Sequence, residues 1–240
     1  MAEIIAHRGA SGIAPENTLP AFHLALAEGA QGIEIDVHLT ADGVPVVLHD
    51  PTLDRVSRLS GPIAERTWPE LRGLRTASPR FDGRYPGARL ITLAEALAAL
   101  PPPARFVVEL KEGAEPRALV AAAVEAIHQT EARERTRIIS FSPAICAEAH
   151  RHDPVIALGF LDGKDPARLL RLATEVHADW AHVYWRLITP AWLAAARRLG
   201  FRVNAWTVND AGAARRLADL RVDEITTDWP ARLRAALVRA

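Results

Sequence analysis

The run Ile33-Glu34-Ile35-Asp36-Val37-His38 alternates apolar with ionisable side chains. Successive residues of a strand point to opposite faces, so Ile33, Ile35 and Val37 share one face and Glu34, Asp36 and His38 the other. A later run, Phe106-Val107-Val108-Glu109-Leu110-Lys111, sets Glu109 and Lys111 on one face in the same way. Three carboxylates gathered in one place repel one another and lose hydration, so the cluster needs a cation or one member must take up a proton. An all-oxygen donor set of Glu34, Asp36 and Glu109 favours one hard divalent ion, Mg2+ or Ca2+ with Mn2+ as a further candidate, over Zn2+. The alternative is that these are solvated strand ends paired with Arg8 and Lys111.

Two histidines end apolar runs. His7 precedes Arg8-Gly9, and His49 follows Val44-Pro45-Val46-Val47-Leu48 and precedes Asp50-Pro51. A lone histidine at a strand end is commonly an ordinary hydrogen-bonded residue, but two of them flanking a carboxylate cluster suit general acid and base near neutral pH. Arg8 can hold an anion by its planar fork and Lys111 as a point charge. Two cations and a metal ion around two histidines suit phosphoryl chemistry, in which charge builds on nonbridging oxygens. Trp206, in Asn204-Ala205-Trp206-Thr207, can wall a substrate pocket or simply pack at its rim. His38, His182, Tyr184 and Trp185 are further candidates for the same mouth. His23, His128, His150, His152 and His177 fall on helices, helix ends or loops and read as surface residues, and Cys146 reads as packing.

These groups need a frame. The chain has 240 residues, 49% hydrophobic, enough for one sizeable core and short for two ordinary domains. Strand-like runs are expected at Ile4–His7, Gly32–His38, Val44–Leu48, Arg105–Leu110, Arg137–Phe141, Ile156–Leu161, Trp180–Tyr184, Phe201–Trp206 and Asp223–Thr226. Ala/Leu-rich helical stretches fall between them, the first at Leu19–Glu28 and the last at Ala231–Val238. Asn17 or Thr18 can cap the first helix; Ser142, Asp165 and Thr189, each followed by Pro, and Asn209-Asp210 can cap later ones. With Val44–Leu48 taken as an excursion from the second strand, eight βα units remain, which suits a (β/α)8 TIM-type barrel of ~250 residues over an open doubly wound sheet. Residues 50–89, rich in Arg, Pro and Gly with one short helical stretch at Trp68–Leu74, break the rhythm and read as a small insertion after the second strand, on the active-site face of a single catalytic domain spanning 1–240.

Composition excludes several classes. Twenty-nine basic residues balance twenty-nine acidic ones, against a nucleic-acid-coating protein. One cysteine forms no internal disulfide and points to a reducing compartment. No apolar run approaches the ~20 residues of a transmembrane span, and no secretory signal is visible, so a cytoplasmic protein is expected. Oligomeric state and head-group preference are not legible.

Taken in order, the motifs resemble those of the glycerophosphodiester phosphodiesterase family over nearly the whole chain. They are Ala6-His7-Arg8-Gly9-Ala10, Pro15-Glu16-Asn17-Thr18, Glu34-Ile35-Asp36-Val37, Val47-Leu48-His49-Asp50, Val108-Glu109-Leu110-Lys111, Ala205-Trp206-Thr207-Val208-Asn209 and Ile225-Thr226-Thr227-Asp228. The resemblance implies a TIM-type barrel and metal-dependent hydrolysis of glycerophosphodiesters to sn-glycerol 3-phosphate and an alcohol. It implies Glu34, Asp36 and Glu109 as metal ligands, His7 and His49 as the acid/base pair, and Arg8 and Lys111 as phosphate contacts. Trp206 matches a residue near the substrate, and Asn17 a supporting one. The chain departs from the family pattern at Thr52–Gly61 and at Leu90-Ile91-Thr92-Leu93, in or beside the insertion, which bears on substrate choice. Two rival readings are a phospholipase D acting on lysolipids and a non-catalytic phosphodiester-binding protein. The second would be expected to lack a histidine or carboxylate, and here all five are present.

Overall fold

The computed structural model describes residues 2–76, 79–81 and 83–238. Three positions of the expected insertion, 77, 78 and 82, lie outside the described residues. The elements run β1 (Glu3–His7), α1 (Leu19–Ala27), β2 (Gly32–Leu39), β3 (Pro45–Val47), α2 (Trp68–Leu71), α3 (Leu93–Ala99), β4 (Arg105–Leu110), α4 (Pro116–Gln129) and β5 (Thr136–Ser140). They continue α5 (Pro143–His152), β6 (Ala157–Asp162), α6 (Pro166–Glu175), β7 (Trp180–Tyr184), α7 (Pro190–Arg198), β8 (Arg202–Trp206), α8 (Ala211–Asp219), β9 (Glu224–Thr227) and α9 (Pro230–Val238).

Strand β1 pairs in parallel with both β2 and β9, and this double pairing closes the sheet. Eight parallel strands form the barrel, and β3 runs antiparallel beside β2, with Val37 opposite Val47. The expected excursion at Val44–Leu48 is therefore a short return strand. The alternating pattern is honoured. Ile33, Ile35 and Val37 are fully buried under the helices, while Glu34, Asp36 and Glu109 point into the barrel. Helix α2 stops at Leu71, three residues before the expected end.

The interior of the barrel is only partly apolar. Ile5, Val107, Ile139 and Leu161 form a small inner cluster beneath Trp206. Lower down, Arg137 pairs with Glu224 at 2.5 Å, and its guanidinium carbon lies 3.7 Å from the centre of the Trp180 ring. Asn204 donates to Glu224 and accepts from Thr226, so this buried layer is extensively hydrogen-bonded. The segment between β3 and α3 carries its own apolar cluster, including Leu48, Leu53, Ile63, Leu71 and Leu90.

The helix starts divide. Asp165, Thr189 and Asp210 accept backbone N–H bonds at the starts of α6, α7 and α8. Thr18 and Ser142 occupy the N-cap positions of α1 and α5 without a side-chain capping bond. Thr18 Oγ1 donates instead to the Pro15 carbonyl, and Asn17 and Asn209 are drawn into the site described next.

Candidate active site

The barrel strands deliver the ionisable groups to their carboxyl-terminal mouth, where barrels of this type place chemistry. Asp36 on β2 is the register partner of Glu109 on β4, so adjacent strands bring two carboxylates side by side. One oxygen each from Glu34, Asp36 and Glu109 lies within 4.8 Å of the others. All three are buried. Burial and the neighbouring Asp36 and Glu109 push the Glu34 carboxyl well above the usual range. Burial pushes Glu109 up to about 7, against the opposing pull of Lys111. Asp36 goes the other way: burial opposes ionisation, but Lys111, Arg8 and His49 hold it well below the usual carboxylate range.

Side-chain cations already crowd this cluster. Lys111 Nζ lies 2.7 Å from Asp36 Oδ1 and 2.6 Å from Glu109 Oε1, and Arg8 Nε lies 3.1 Å from Asp36 Oδ2. The pairing with Arg8 and Lys111 and the convergence of the carboxylates thus hold together; they are not alternatives. Asp36 Oδ1 is buried without a well-angled hydrogen bond despite that contact. Three buried carboxylates within 4.8 Å of one another form an oxygen-only donor set that fits a hard divalent cation.

The two histidines share one device. His7 Nδ1 donates to Asp228 Oδ1 at 2.7 Å, and His49 Nδ1 donates to Asp50 Oδ1 at 2.6 Å. An ionised carboxylate only accepts, so each ring carries its proton on Nδ1 and keeps Nε2 for proton transfer. Burial lowers the His49 pKa, outweighing the nearby Asp36 and the bond to Asp50. Asp228 is held at about 2; burial works against this, but hydrogen bonds from His7, Asn209 and Ser11 prevail. Asp50 is likewise held at about 2, chiefly by its hydrogen bonds from Arg55.

Arg8 follows β1 in the left-handed region, with φ of 55°, as do Gly9 at 83° and Asn17 at 57°. A non-glycine residue in this region costs free energy, and such strain concentrates at functional sites. At Gly9 a Cβ would sit 2.7 Å from the Ala21 backbone, so only glycine lets the loop turn there. The bend puts the Arg8 N–H 3.0 Å from Glu34 Oε2 and its side chain between Glu16 and Asp36. Asn17 donates to Asp36 Oδ2 at 2.9 Å, which is why it does not cap α1.

A cavity of about 210 Å³ opens among these groups, lined by His7, Arg8, Glu34, His49, Glu109 and Lys111. The lining also includes the apolar and aromatic side chains of Ile139, Phe141, Leu161 and Trp206, with His182, Asn204, Thr207 and Thr226. Trp206 meets Phe141 edge-on, with centroids 5.6 Å apart, and Tyr184 at 6.0 Å. His182 reaches the floor, buried and with Nε2 unpartnered; burial and Arg137 keep it neutral. His38 lies outside the cavity lining and donates to the His49 carbonyl. Trp185 packs against the main core. Cys146 is buried, its thiol pushed up to about 12 by burial, which keeps it protonated near neutral pH.

Four polar groups around the site carry no role in the sequence reading, Glu16, Asp50, Arg55 and Asp228, and a fifth, Asn209, is expected there only as a helix cap but bonds Asp228 instead. Asp50 carried a signal, standing next to His49. Asp228 carried a weaker one, following the last barrel strand, which ends at the same mouth.

Comparison with known proteins agrees with this geometry. The profile of the glycerophosphoryl diester phosphodiesterase family matches residues 7–232. A glycerophosphodiester phosphodiesterase of Caldanaerobacter subterraneus subsp. tengcongensis is 32% identical over 229 residues, covering 95% of this chain and 94% of the relative. A phosphodiesterase of Oleispira antarctica, solved in complex with the product sn-glycerol-3-phosphate, superposes with a TM-score of 0.93 at 29% identity, covering 99% of this chain and 97% of that one. A glycerophosphodiester phosphodiesterase of Agrobacterium tumefaciens superposes with a TM-score of 0.85 at 31% identity, covering 98% and 100%. Among the described residues no helix is long and apolar enough to cross a membrane. The closed parallel barrel, the mouth it builds and the match along nearly its whole length identify the chain as a member of the glycerophosphoryl diester phosphodiesterase family, a phosphoric diester hydrolase.

Proposed function

We propose that this enzyme hydrolyses glycerophosphodiesters to sn-glycerol 3-phosphate and an alcohol. The observation that carries the reading is the position of His7 and His49, each held by a carboxylate, beside one cluster of three buried acids. The product bound to the Oleispira relative supports glycerol 3-phosphate as the product here. Glu34, Asp36 and Glu109 would hold one divalent cation, Mg2+ or Ca2+ with Mn2+ also suited. When bound, the ion supplies Lewis-acid neutralisation of charge on the phosphate.

The chain's own groups do the rest. Arg8 and Lys111 face the cavity and meet the anionic phosphate as fork and point charge. One imidazole removes a proton from the nucleophile, which is water or a glycerol hydroxyl, and the other gives a proton to the leaving alkoxide; on the hydroxyl route the cyclic phosphate so formed is then opened by water, with the two imidazoles in exchanged roles. Asp228 and Asp50 fix the Nδ1 tautomer and stabilise whichever imidazolium forms. Trp206 and its aromatic neighbours wall the cavity and exclude water from part of it. A reducing, cytoplasmic setting fits the single buried cysteine. Residues 50–89 act as an insertion of a single domain rather than a unit of their own.

A lysolipid substrate is the second reading, carried by Phe141, which lines the cavity and is 40% exposed. A hydrolysis panel separates the two. With Mg2+, Ca2+ or Mn2+ added back after chelation, glycerophosphocholine is expected to turn over faster than lysophosphatidylcholine. Turnover of neither, or equal turnover in excess chelator, contradicts the proposal.

A further inference from the structure

Arg55 belongs to the segment between β3 and α3, and its side chain is 47% exposed. Its guanidinium faces two carboxylates at once. Nε and Nη2 donate to Asp50 Oδ2 and Oδ1 at 2.6 and 3.1 Å. Nη1 and Nη2 donate to Glu16 Oε2 and Oε1 at 2.8 Å each. Both edges of the planar fork are thus engaged bidentately, which a lysine ammonium cannot reproduce.

Each carboxylate continues inward. Asp50 holds His49 Nδ1, and Glu16 accepts from Arg8 Nη1 at 3.0 Å. Arg8 in turn faces Asp36 and bonds Glu34 through its backbone. An unbroken chain of polar contacts therefore runs His49, Asp50, Arg55, Glu16, Arg8. It joins the loop after β3 to the loop after β1, across 39 residues of sequence between Glu16 and Arg55.

Resting on the reading above, we propose that Arg55 is a positioning residue: it locks His49 and Arg8 into one geometry, so that the group that moves the proton and the group that meets the phosphate stay in register. Exposed ion pairs contribute little to stability because solvent screens them. Small displacements at a reacting centre, in contrast, cost rate steeply. The β1 loop also keeps two other anchors from the same segment, Arg80 to the Gly12 carbonyl and Tyr85 to the Ile13 carbonyl, both at 2.7 Å. Loss of Arg55 therefore leaves the loop attached and affects its alignment.

The test combines kinetics with a readout that needs no turnover. Arg55→Ala is expected to lower kcat on glycerophosphocholine about 10- to 100-fold and raise KM several-fold, with the melting temperature nearly unchanged. Arg55→Lys is expected to recover little of that loss. Glu16→Gln and Asp50→Asn are expected to be non-additive in kcat/KM when Arg55 is present and to multiply independently in the Arg55→Ala background. By imidazole NMR, the His49 Nδ1 proton is expected to be protected in the wild type and to exchange with solvent in Arg55→Ala. Wild-type kcat in Arg55→Ala, full rescue by lysine, or an unchanged His49 signal overturns the proposal. If the wild type does not turn over the diester yet its His49 proton is lost in Arg55→Ala, the substrate reading fails and the clamp stands.

Discussion

Replacing Asp228 by Asn removes one charge and leaves the shape, and the surrounding hydrogen bonds decide how the new amide must sit. Asn209 Oδ1 accepts from the Asp228 backbone N–H and from Thr227 Oγ1, both at 3.0 Å, which fixes its orientation. Its Nδ2 therefore donates to the second carboxylate oxygen of Asp228, at 2.5 Å. In the variant the new amide oxygen must face that donor, so the new NH2 turns toward His7. His7 Nδ1 then has to accept, and the ring carries its proton on Nε2, the wrong nitrogen for a base. General acid–base action contributes about 100- to 10,000-fold, and kcat is expected to fall within that range. Stability falls too. A carboxylate moved from an ordinary ~3.9 to about 2 favours its ionised, folded form by roughly 2–3 kcal/mol. Because the folded value is depressed, that stabilisation is present above pH ~4 and lost as pH falls toward 2. The variant is expected to melt about 4–12 °C lower at neutral pH. Steady-state kinetics at saturating metal, run below the variant's melting point by circular dichroism, reads both effects. A kcat within about threefold of wild type would refute the tautomer reasoning.

His7→Ala and His49→Ala are each expected to lower kcat at least about 100-fold with the fold intact by circular dichroism; near-full turnover removes that histidine from the chemistry. Glu224→Gln leaves Arg137 charged inside the barrel, and the expected loss is about 3–5 kcal/mol, read as a large drop in melting temperature. The apolar double variant Arg137→Met with Glu224→Leu is expected to lose less, and a larger loss would contradict the argument. Asp153 lies far from the mouth. Burial opposes its ionisation, but Arg133 and His128 hold it well below the usual range. Asp153→Ala is therefore expected to destabilise at neutral pH with kcat unchanged, and its difference from wild type should shrink as pH falls below ~4; a difference that is constant with pH would count against the pairing.

The barrel was legible because its strands obey a period of two and its helices begin at Pro and small polar residues. The same alternation brought Glu34, Asp36 and Glu109 together on paper, since a parallel sheet sets the neighbouring strand in register. What sequence left open depends on closure. Asp228 meets His7 across 221 residues only because β9 pairs with β1. Asn17 has the type and spacing of a helix cap, yet a left-handed backbone turns it to Asp36, a competition between local and tertiary partners. Lys111 was expected on the phosphate, and in the structure it first answers the two carboxylates beside it. Arg55 carried no local signal: its role comes from two loops that meet over the barrel mouth.

Calorimetric titration of Mn2+ into the metal-stripped protein most directly asks whether the three acids share one ion. One equivalent is expected to bind the wild type, and Glu34→Gln and Glu109→Gln are each expected to weaken it severely while circular dichroism stays native. No binding to the wild type, or wild-type affinity in both variants, would contradict the site.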